Sequence, residues 1–110
     1  MKRLYLKENE KAAIAELKKE LLRRFDIFDF CIFGSKARGD ASPESDIDLM
    51  IEVEDNNPDV ESEIDDVIFE INLAYDCFIS ATIFGRKELK DGPFGESPLY
   101  KAIEFEGVRV

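Results

Sequence analysis

The chain has 110 residues, 45% of them hydrophobic, and a formal net charge of −10 at pH 7. This length predicts a single domain over residues 1–110, with room for a modest hydrophobic core. No apolar run approaches the roughly 20 residues that cross a bilayer, and the N-terminal segment is too polar for a signal peptide. We therefore expect a cytoplasmic protein with no membrane segment.

Charge is distributed unevenly along the chain. Residues 1–38 carry a net charge of +4, residues 39–85 carry −14 with no lysine or arginine, and residues 86–110 are neutral. Because a nucleic-acid-binding protein normally presents a basic patch, nucleic acid is not expected as a direct ligand. Two interpretations of the acidic middle stay open: the solvated face of a helix, or a surface that attracts a basic protein partner or metal ions.

The first half of the chain predicts a helix followed by two strands. Residues 9–25 form an amphipathic helix pattern with apolar residues at spacings of three and four, namely Ala13, Ile14, Leu17, Leu21, Leu22 and Phe25. Residues 29–33 are nearly all apolar, which predicts a central strand. A short polar helix or loop is expected over residues 36–45. Residues 47–53 alternate between apolar and polar, which predicts a half-buried strand.

The second half predicts another helix, a third strand and a short final helix. A polar turn over residues 54–59 precedes an amphipathic helix with Val60, Ile64, Val67, Ile68 and Ile71 on its apolar face. Residues 75–84 predict the third strand, and residues 91–95 a loop. Ser97 and Pro98 provide a cap and a first-turn proline for a helix over residues 99–105, which Gly107 ends. This order of elements predicts an α/β (α+β) fold, a small mixed β-sheet with helices packed on it.

Cysteine and histidine content restricts the chemistry. The two cysteines, Cys31 and Cys77, lie in apolar strand patterns and are expected to be buried, reduced thiols. The chain contains no histidine, which excludes a histidine general base and an imidazole-bound zinc ion. Any proton removal must therefore rely on a carboxylate, on a metal ion or on a partner.

Two carboxylates, Asp46 and Asp48, lie one residue apart at the start of the second predicted strand. Side chains at positions i and i+2 share one face of a strand, about 6.6–6.8 Å apart along its axis. Carboxylates held in this way repel each other unless a hard cation neutralises them, and oxygen ligands suit Mg²⁺ or Mn²⁺. The pair therefore predicts a metal site.

Ten residues separate the dipeptide Gly34-Ser35 from Asp46. A glycine lets the backbone approach a phosphate closely, while the serine hydroxyl and the following N–H groups can bind it at a helix start. Lys36 and Arg38 are near the same turn, and each is either a triphosphate contact or a solvated charge. Gly39 is expected to reverse the chain. The turn and the carboxylates together predict a metal and triphosphate site.

The stretch GSKARGDASPESDIDLMIEV resembles the signature of the nucleotidyltransferase superfamily that includes DNA polymerase β and kanamycin nucleotidyltransferase, and within it the minimal nucleotidyltransferases. The resemblance implies the nucleotidyltransferase fold, with Asp46 and Asp48 as catalytic metal ligands. It assigns phosphate binding to Gly34 and Ser35, and Lys36, Arg38 and Ser45 are the further candidate nucleotide-binding residues. The family also uses a third catalytic and metal-binding carboxylate on a neighbouring strand. Asp76 is the candidate, with Glu70 and Asp40 as weaker alternatives.

The leading hypothesis is a magnesium-dependent enzyme that transfers a nucleoside monophosphate, AMP from ATP, to a hydroxyl of a partner. The short chain leaves no room for an acceptor domain, so a partner molecule is expected to supply the acceptor. Resemblance of the third strand and of the C-terminal segment further implies the antitoxin of a toxin–antitoxin module, whose partner is a HEPN-domain toxin modified on a tyrosine. Two alternatives remain: an idle nucleotide-binding module that inhibits its partner by contact, and a small-molecule nucleotidyltransferase.

Overall fold

The computed structural model describes residues 5–40 and 45–110. Over these residues the helices are α1 (Glu8–Arg24), α2 (Ser35–Arg38), α3 (Pro58–Tyr75), α4 (Arg86–Asp91) and α5 (Pro98–Glu106), with a 3₁₀ helix at Pro93–Glu96. The strands are β1 (Ile27–Phe33), β2 (Ile47–Val53), β3 (Ile79–Gly85) and β4 (Val108–Arg109). The predicted helix or loop over residues 36–45 is thus helical in its first part, and residues 41–44 of that segment lie outside the described residues.

The four strands form one mixed sheet in the order β3-β2-β1-β4. Strand β1 pairs antiparallel with both of its neighbours, whereas β2 and β3 are parallel and are connected through α3. The register places Phe33 opposite Asp48, and Ser80 beside Asp48 on the other side. The mixed sheet with packed helices confirms the predicted fold class, and the central position predicted for β1 is correct.

Helices α1 and α3 cover one face of the sheet because both present an apolar stripe. The buried residues of this face include Ala13, Ile14, Leu17, Leu21, Ile47, Leu49, Ile51, Val53, Ile64, Val67, Ile68 and Ile71. Four apolar residues of β2 therefore point to one side, as the alternation predicts. Leu22 departs from the prediction for α1, since it is 53% exposed.

The opposite face is partly covered by α5. Cys31, Met50, Phe84 and Ile103 form a small buried cluster there. Met50 is fully buried, so the middle of β2 is covered on both faces and is not half-buried as predicted. Asp48, two residues earlier on the same face, remains partly exposed beyond the edge of this cluster.

The third strand begins later than the sequence pattern predicts. Helix α3 continues to Tyr75, and Asp76 ends it in the left-handed conformation with φ 52°. Strand β3 then begins at Ile79. The assignment of residues 75–78 to a strand is wrong because the apolar run of β3 follows the apolar stripe of α3 without a glycine or proline between them. The sequence pattern also does not predict α4 or β4, which are short.

Two asparagine side chains bind the outer edge of β3. Asn72 accepts a hydrogen bond from the Ile79 N–H (2.8 Å) and donates one to its carbonyl (3.2 Å). Further along the strand, Asn56 donates to the Ile83 carbonyl (3.3 Å). These bonds attach the strand to α3 and to the turn before it.

The two cysteine thiols are buried, as expected. No helix in the described residues combines the length and apolar character needed to cross a bilayer. The cytoplasmic location stays a prediction.

Candidate active site

The turn after β1 presents backbone N–H groups at the end of the sheet. Gly34 precedes α2 with φ 74° and ψ −152°, a conformation that glycine adopts far more readily than other residues. Its carbonyl accepts hydrogen bonds from the N–H groups of Ala37 (3.1 Å) and Arg38 (3.0 Å). Gly39, at φ 90°, ends the helix and provides the predicted reversal. Ser35 is the first helical residue and is partly exposed.

Asp48 lies directly against this turn. It is opposite Phe33 in the sheet, the residue that precedes Gly34. A Cβ atom added to Gly34 would overlap Oδ2 of Asp48 and would stand 3.2 Å from its Cγ. The missing side chain of Gly34 is therefore what lets the turn and the carboxylate meet.

The charge of Asp46 acts on the carboxyl of Asp48. Burial raises the pKa of the Asp48 carboxyl, and the negative charge of Asp46 raises it further. The guanidinium of Arg38 lowers this pKa, and the carboxylate of Glu106 raises it. Since two carboxylates disfavour each other's ionised form, a cation between them would be stabilising. The structure brings the two predicted residues together, while their catalytic and metal-binding roles stay predictions.

Glu106, the last residue of α5, faces the same turn. Its Oε1 accepts a hydrogen bond from the Gly34 N–H (3.1 Å). Nη1 of Arg38 donates to Oε1 at 3.2 Å and to Oε2 at 3.4 Å. Glu106 is not among the predicted site residues because it is 72 positions from Gly34, and no local pattern indicates which carboxylate of α5 reaches the turn.

Arg38 remains accessible beside the turn, with its side chain 49% exposed. It also forms an ion pair with Asp40, in which Nε and Oδ2 are 3.2 Å apart. Hydrogen bonds to Asp40 and to Glu106 raise the pKa of Arg38, so this group stays positively charged. An exposed cation next to the turn is suited to contact a bound triphosphate.

Lys36 is placed differently from Arg38. Its side chain is 3% exposed, and its ammonium lies 3.2 Å from the carboxylate of Glu10, which is 4% exposed. Glu10 also accepts a hydrogen bond from the Lys7 N–H at 2.8 Å. Because its ammonium is enclosed by this ion pair, the structure disfavours a direct triphosphate contact by Lys36.

Comparison with known proteins identifies the family of this chain. Residues 14–107 match the nucleotidyltransferase domain family. The chain belongs to this family. It is 40% identical over 47 residues to a protein provisionally named a protein adenylyltransferase from Methanocaldococcus jannaschii, a match that covers 43% of this chain and 47% of that protein. It is also 40% identical over 55 residues to the protein adenylyltransferase MntA of Thermococcus cleftensis, with 50% and 54% covered.

The chain spans about half the length of the curated relatives that it matches. These partial matches support an enzyme of the nucleotidyltransferase class, since the domain match itself extends over most of the chain. These matches do not identify the acceptor or the partner of this nucleotidyltransferase.

Asp76 lies at the end of α3, not on a strand beside Asp48. Its side chain is exposed, and its carbonyl accepts a hydrogen bond from Nδ2 of Asn9 (3.1 Å). The β3 residue beside Asp48 is Ser80. Over residues 5–40 and 45–110, no three or more Asp, Glu or Cys side chains are grouped so that they could hold a metal ion. The role of Asp76 as the third carboxylate stays a prediction.

The remaining candidate site residues of this nucleotidyltransferase are Ser45, Asp40 and Glu70. Ser45 is partly exposed and directly precedes Asp46. Asp40 is paired with Arg38 near the turn. Glu70 is exposed on α3, a helix that packs against the other face of the sheet. Of the two weaker rivals to Asp76, Asp40 is therefore nearer to the turn.

Proposed function

We propose that the chain is a magnesium-dependent protein adenylyltransferase that transfers AMP from ATP to a hydroxyl of a partner protein. The observation that carries this proposal is the contact between the Gly34 turn and the Asp48 carboxylate. A turn that can bind phosphate and a carboxylate that can bind a metal ion are useful to triphosphate chemistry only when they adjoin. The names of the two relatives support the choice of a protein as acceptor.

The nucleotide would be bound by residues of the turn and its surroundings. The N–H groups at Gly34 and Ser35 would donate to phosphate oxygens, and the Arg38 guanidinium would offset their charge. Ser45 would approach from the segment before β2. Lys36 is left out of this set because its ammonium is paired with Glu10.

The donor set at Asp46 and Asp48 fits a hard divalent cation. Mg²⁺ is commonly held by one or two carboxylates together with the phosphates of the substrate, so these two residues are sufficient first ligands. When bound, the cation would neutralise phosphate charge and favour ionisation of the acceptor hydroxyl. Burial and the charge of Asp46 raise the pKa of Asp48, and a bound cation would act in the opposite direction.

The transfer breaks one phosphoanhydride bond of ATP and forms one phosphodiester bond to the acceptor. The acceptor oxygen forms a bond to the α-phosphorus of ATP, while the bond from that phosphorus to the oxygen bridging to the β-phosphate breaks. Pyrophosphate leaves with the electron pair of the broken bond, and the hydroxyl proton passes to solvent or to a carboxylate. Asp76 is the proposed carboxylate on the acceptor side.

The surface near the site is suited to a protein acceptor. The side chain of Phe78 is exposed, with 67% of its surface accessible. The backbone carbonyl of Phe78 accepts a hydrogen bond from the N–H of Ile47, the residue after Asp46. On the other face of the sheet, helix α3 carries exposed carboxylates, namely Asp59, Glu61, Glu63, Asp65, Asp66 and Glu70. An exposed aromatic ring beside the proposed reaction centre supports docking of a protein, and the acidic helix would favour a partner with a basic surface.

On this basis we also propose the biological setting. The partner would be a HEPN-domain toxin encoded by the neighbouring gene, and the chain would act as the antitoxin by adding AMP to a tyrosine of that toxin. The support is the motif resemblance together with the names of the relatives.

A second candidate function is inhibition of the partner by contact alone, with an idle nucleotide site. It is favoured by one observation: the β3 position beside Asp48 is Ser80, and a serine cannot supply a third charged ligand. A stable complex with no transfer of AMP would support this candidate.

The test combines labelled ATP, MgCl₂ and the product of the neighbouring gene. The label should appear on that partner, and mass spectrometry should find AMP on a tyrosine or another hydroxyl. Asp48→Asn should abolish transfer, because it removes a negative ligand without changing shape. Asp26→Asn, which alters an exposed carboxylate between α1 and β1, is the matched control and should transfer normally. Label on a small molecule alone would contradict a protein acceptor.

A further inference from the structure

The Glu106 carboxylate binds the two groups that the proposed function assigns to the triphosphate. The Gly34 N–H donates to it at 3.1 Å, and the Arg38 guanidinium contacts both of its oxygens at 3.2 and 3.4 Å. A backbone N–H and a guanidinium directed at one pair of oxygens form the contact set that a phosphate group would use.

We propose that Glu106 is an internal anion that occupies the phosphate position of the Gly34 turn, and that the triphosphate must displace it. The two anions compete because the Gly34 N–H has one hydrogen to donate. Glu106 therefore lowers the affinity for nucleotide while it keeps the turn and Arg38 in place. This inference rests on the proposed nucleotide site, and it makes Glu106 a positioning residue.

The charges around the turn agree with displacement rather than with joint binding. The Glu106 carboxylate lies at the same turn as the Asp48 carboxylate, since Gly34 contacts both. A triphosphate would add several negative charges within the same few ångströms, and like charges at that distance repel strongly in a partly buried site. Departure of Glu106 would relieve this repulsion.

The position of Glu106 in the chain permits the movement. Its side chain is 24% exposed, so it can turn toward solvent with little loss of packing. It ends α5, and Gly107 connects it to β4, which contains only two residues. A short movement at this junction would leave the buried Ile103 anchor of α5 in place.

The first experiment measures binding of a non-hydrolysable ATP analogue with Mg²⁺ by calorimetry. Glu106→Gln should bind it about threefold to tenfold more tightly than the unaltered chain, the effect expected when one competing charged hydrogen bond is weakened. Glu106→Ala provides a second variant if Gln disturbs folding. Glu104→Gln is the matched control, since Glu104 lies on the same helix but contacts Arg109, and it should leave the affinity unchanged.

A second measurement follows the Gly34 amide resonance by NMR. Without nucleotide, the resonance should differ between the unaltered chain and Glu106→Gln, because the acceptor of this N–H has changed. At saturation with the analogue and Mg²⁺ the two spectra should agree at Gly34, since the same phosphate then accepts the hydrogen bond. A difference that persists at saturation would show that Glu106 is not displaced and would overturn the inference.

The calorimetric outcomes separate this inference from the proposed function. Unchanged affinity in Glu106→Gln overturns competition and leaves the nucleotide site standing. Weaker binding also overturns it and would make Glu106 part of the nucleotide or metal site. Absence of binding in the unaltered chain and in all variants overturns both proposals.

Discussion

The α-carbon of Gly34 lies against the carboxylate of Asp48, so that a methyl group at position 34 would overlap Oδ2. This contact joins the end of β1 to the start of β2, which pair antiparallel with Phe33 opposite Asp48. The backbone of the proposed phosphate-binding turn and the proposed metal ligand are thus held at a fixed separation by the sheet itself.

Gly34→Ala should destabilise the protein and weaken nucleotide binding. The positive φ of 74° alone should cost about 1–3 kcal/mol for a residue with a side chain, and the overlap with Asp48 adds to this. Urea unfolding measures the loss. When Gly34→Ala is made in an Asp48→Ala background, the loss of unfolding free energy should be smaller by at least about 0.5 kcal/mol, the smallest coupling expected for residues in contact. Equal costs in both backgrounds would show that the two residues are not coupled.

Removing one partner of the Lys36–Glu10 pair should be strongly destabilising. Both side chains are almost completely buried, so Lys36→Met leaves a buried carboxylate without its counter-charge, at a cost of about 3–5 kcal/mol. The double variant Lys36→Met/Glu10→Gln should recover most of this loss, as measured by urea unfolding.

The same double variant tests the role of Lys36 at the site. If the ion pair is structural, the refolded double variant should bind the ATP analogue with unchanged affinity. Clearly weaker binding by a well-folded double variant would return Lys36 to the set of triphosphate contacts. Glu10→Gln alone should also be destabilised, but it keeps Lys36 and an oxygen that can accept the Lys7 N–H, so its affinity separates the loss of Glu10 from the loss of Lys36.

Asp76→Asn, at the end of α3, should abolish AMP transfer without changing the stability of the protein. Asparagine tolerates the left-handed conformation about as well as aspartate, so the thermal midpoint should be unchanged despite φ 52° at this position. If Asp76 acts on the acceptor side, the affinity for ATP should persist while AMP transfer is lost. Normal transfer would leave Asp76 as a helix cap and would direct attention to Asp40 or Glu70.

Stability at high pH should depend on Tyr100. Burial first, and then a hydrogen bond with Glu104, raise the pKa of its hydroxyl from 10.0 to about 12. Below pH 10 the group is neutral in both states. Between pH 10 and 12 the unfolded chain loses the proton while the folded chain retains it, so the free energy of unfolding falls as pH rises.

Urea unfolding across this pH window provides the measurement for Tyr100. Tyr100→Phe should lose less stability between pH 10 and 12 than the unaltered chain, because phenylalanine does not titrate. Phenylalanine also keeps the edge-on packing against Phe84, whose ring centroid is 5.6 Å away. Parallel losses in the two proteins would assign the alkaline transition to other groups.

The bounds and one face of strand β2 follow from the sequence. The bounds of Ile47–Val53 agree with the prediction, and the four apolar residues of one face are buried, whereas Met50 breaks the alternation on the other face. The meeting of Gly34 and Asp48 follows as well, because two adjacent antiparallel strands bring the end of one to the start of the next. Local sequence patterns are sufficient to predict a contact when the two elements that form it are consecutive in the chain.

Other parts of the site depend on packing between distant segments. Lys36 is 26 positions from Glu10 and Glu106 is 72 from Gly34, so their pairing is decided by how α1 and α5 lie on the sheet. The position of Asp76 was predicted wrongly as a strand residue because apolar composition continues from α3 into β3. A periodic pattern identifies such elements but does not fix the residue at which one ends.

The asparagine contacts along β3 have a consequence for assembly. An exposed edge strand normally invites a second chain to add its own strand through backbone hydrogen bonds. In this protein the outward N–H and carbonyl of Ile79 are bound by Asn72, and the outward carbonyl of Ile83 by Asn56. An incoming strand would first have to break these bonds, so a partner is expected to bind through side chains, and fibre-like growth from this edge is disfavoured.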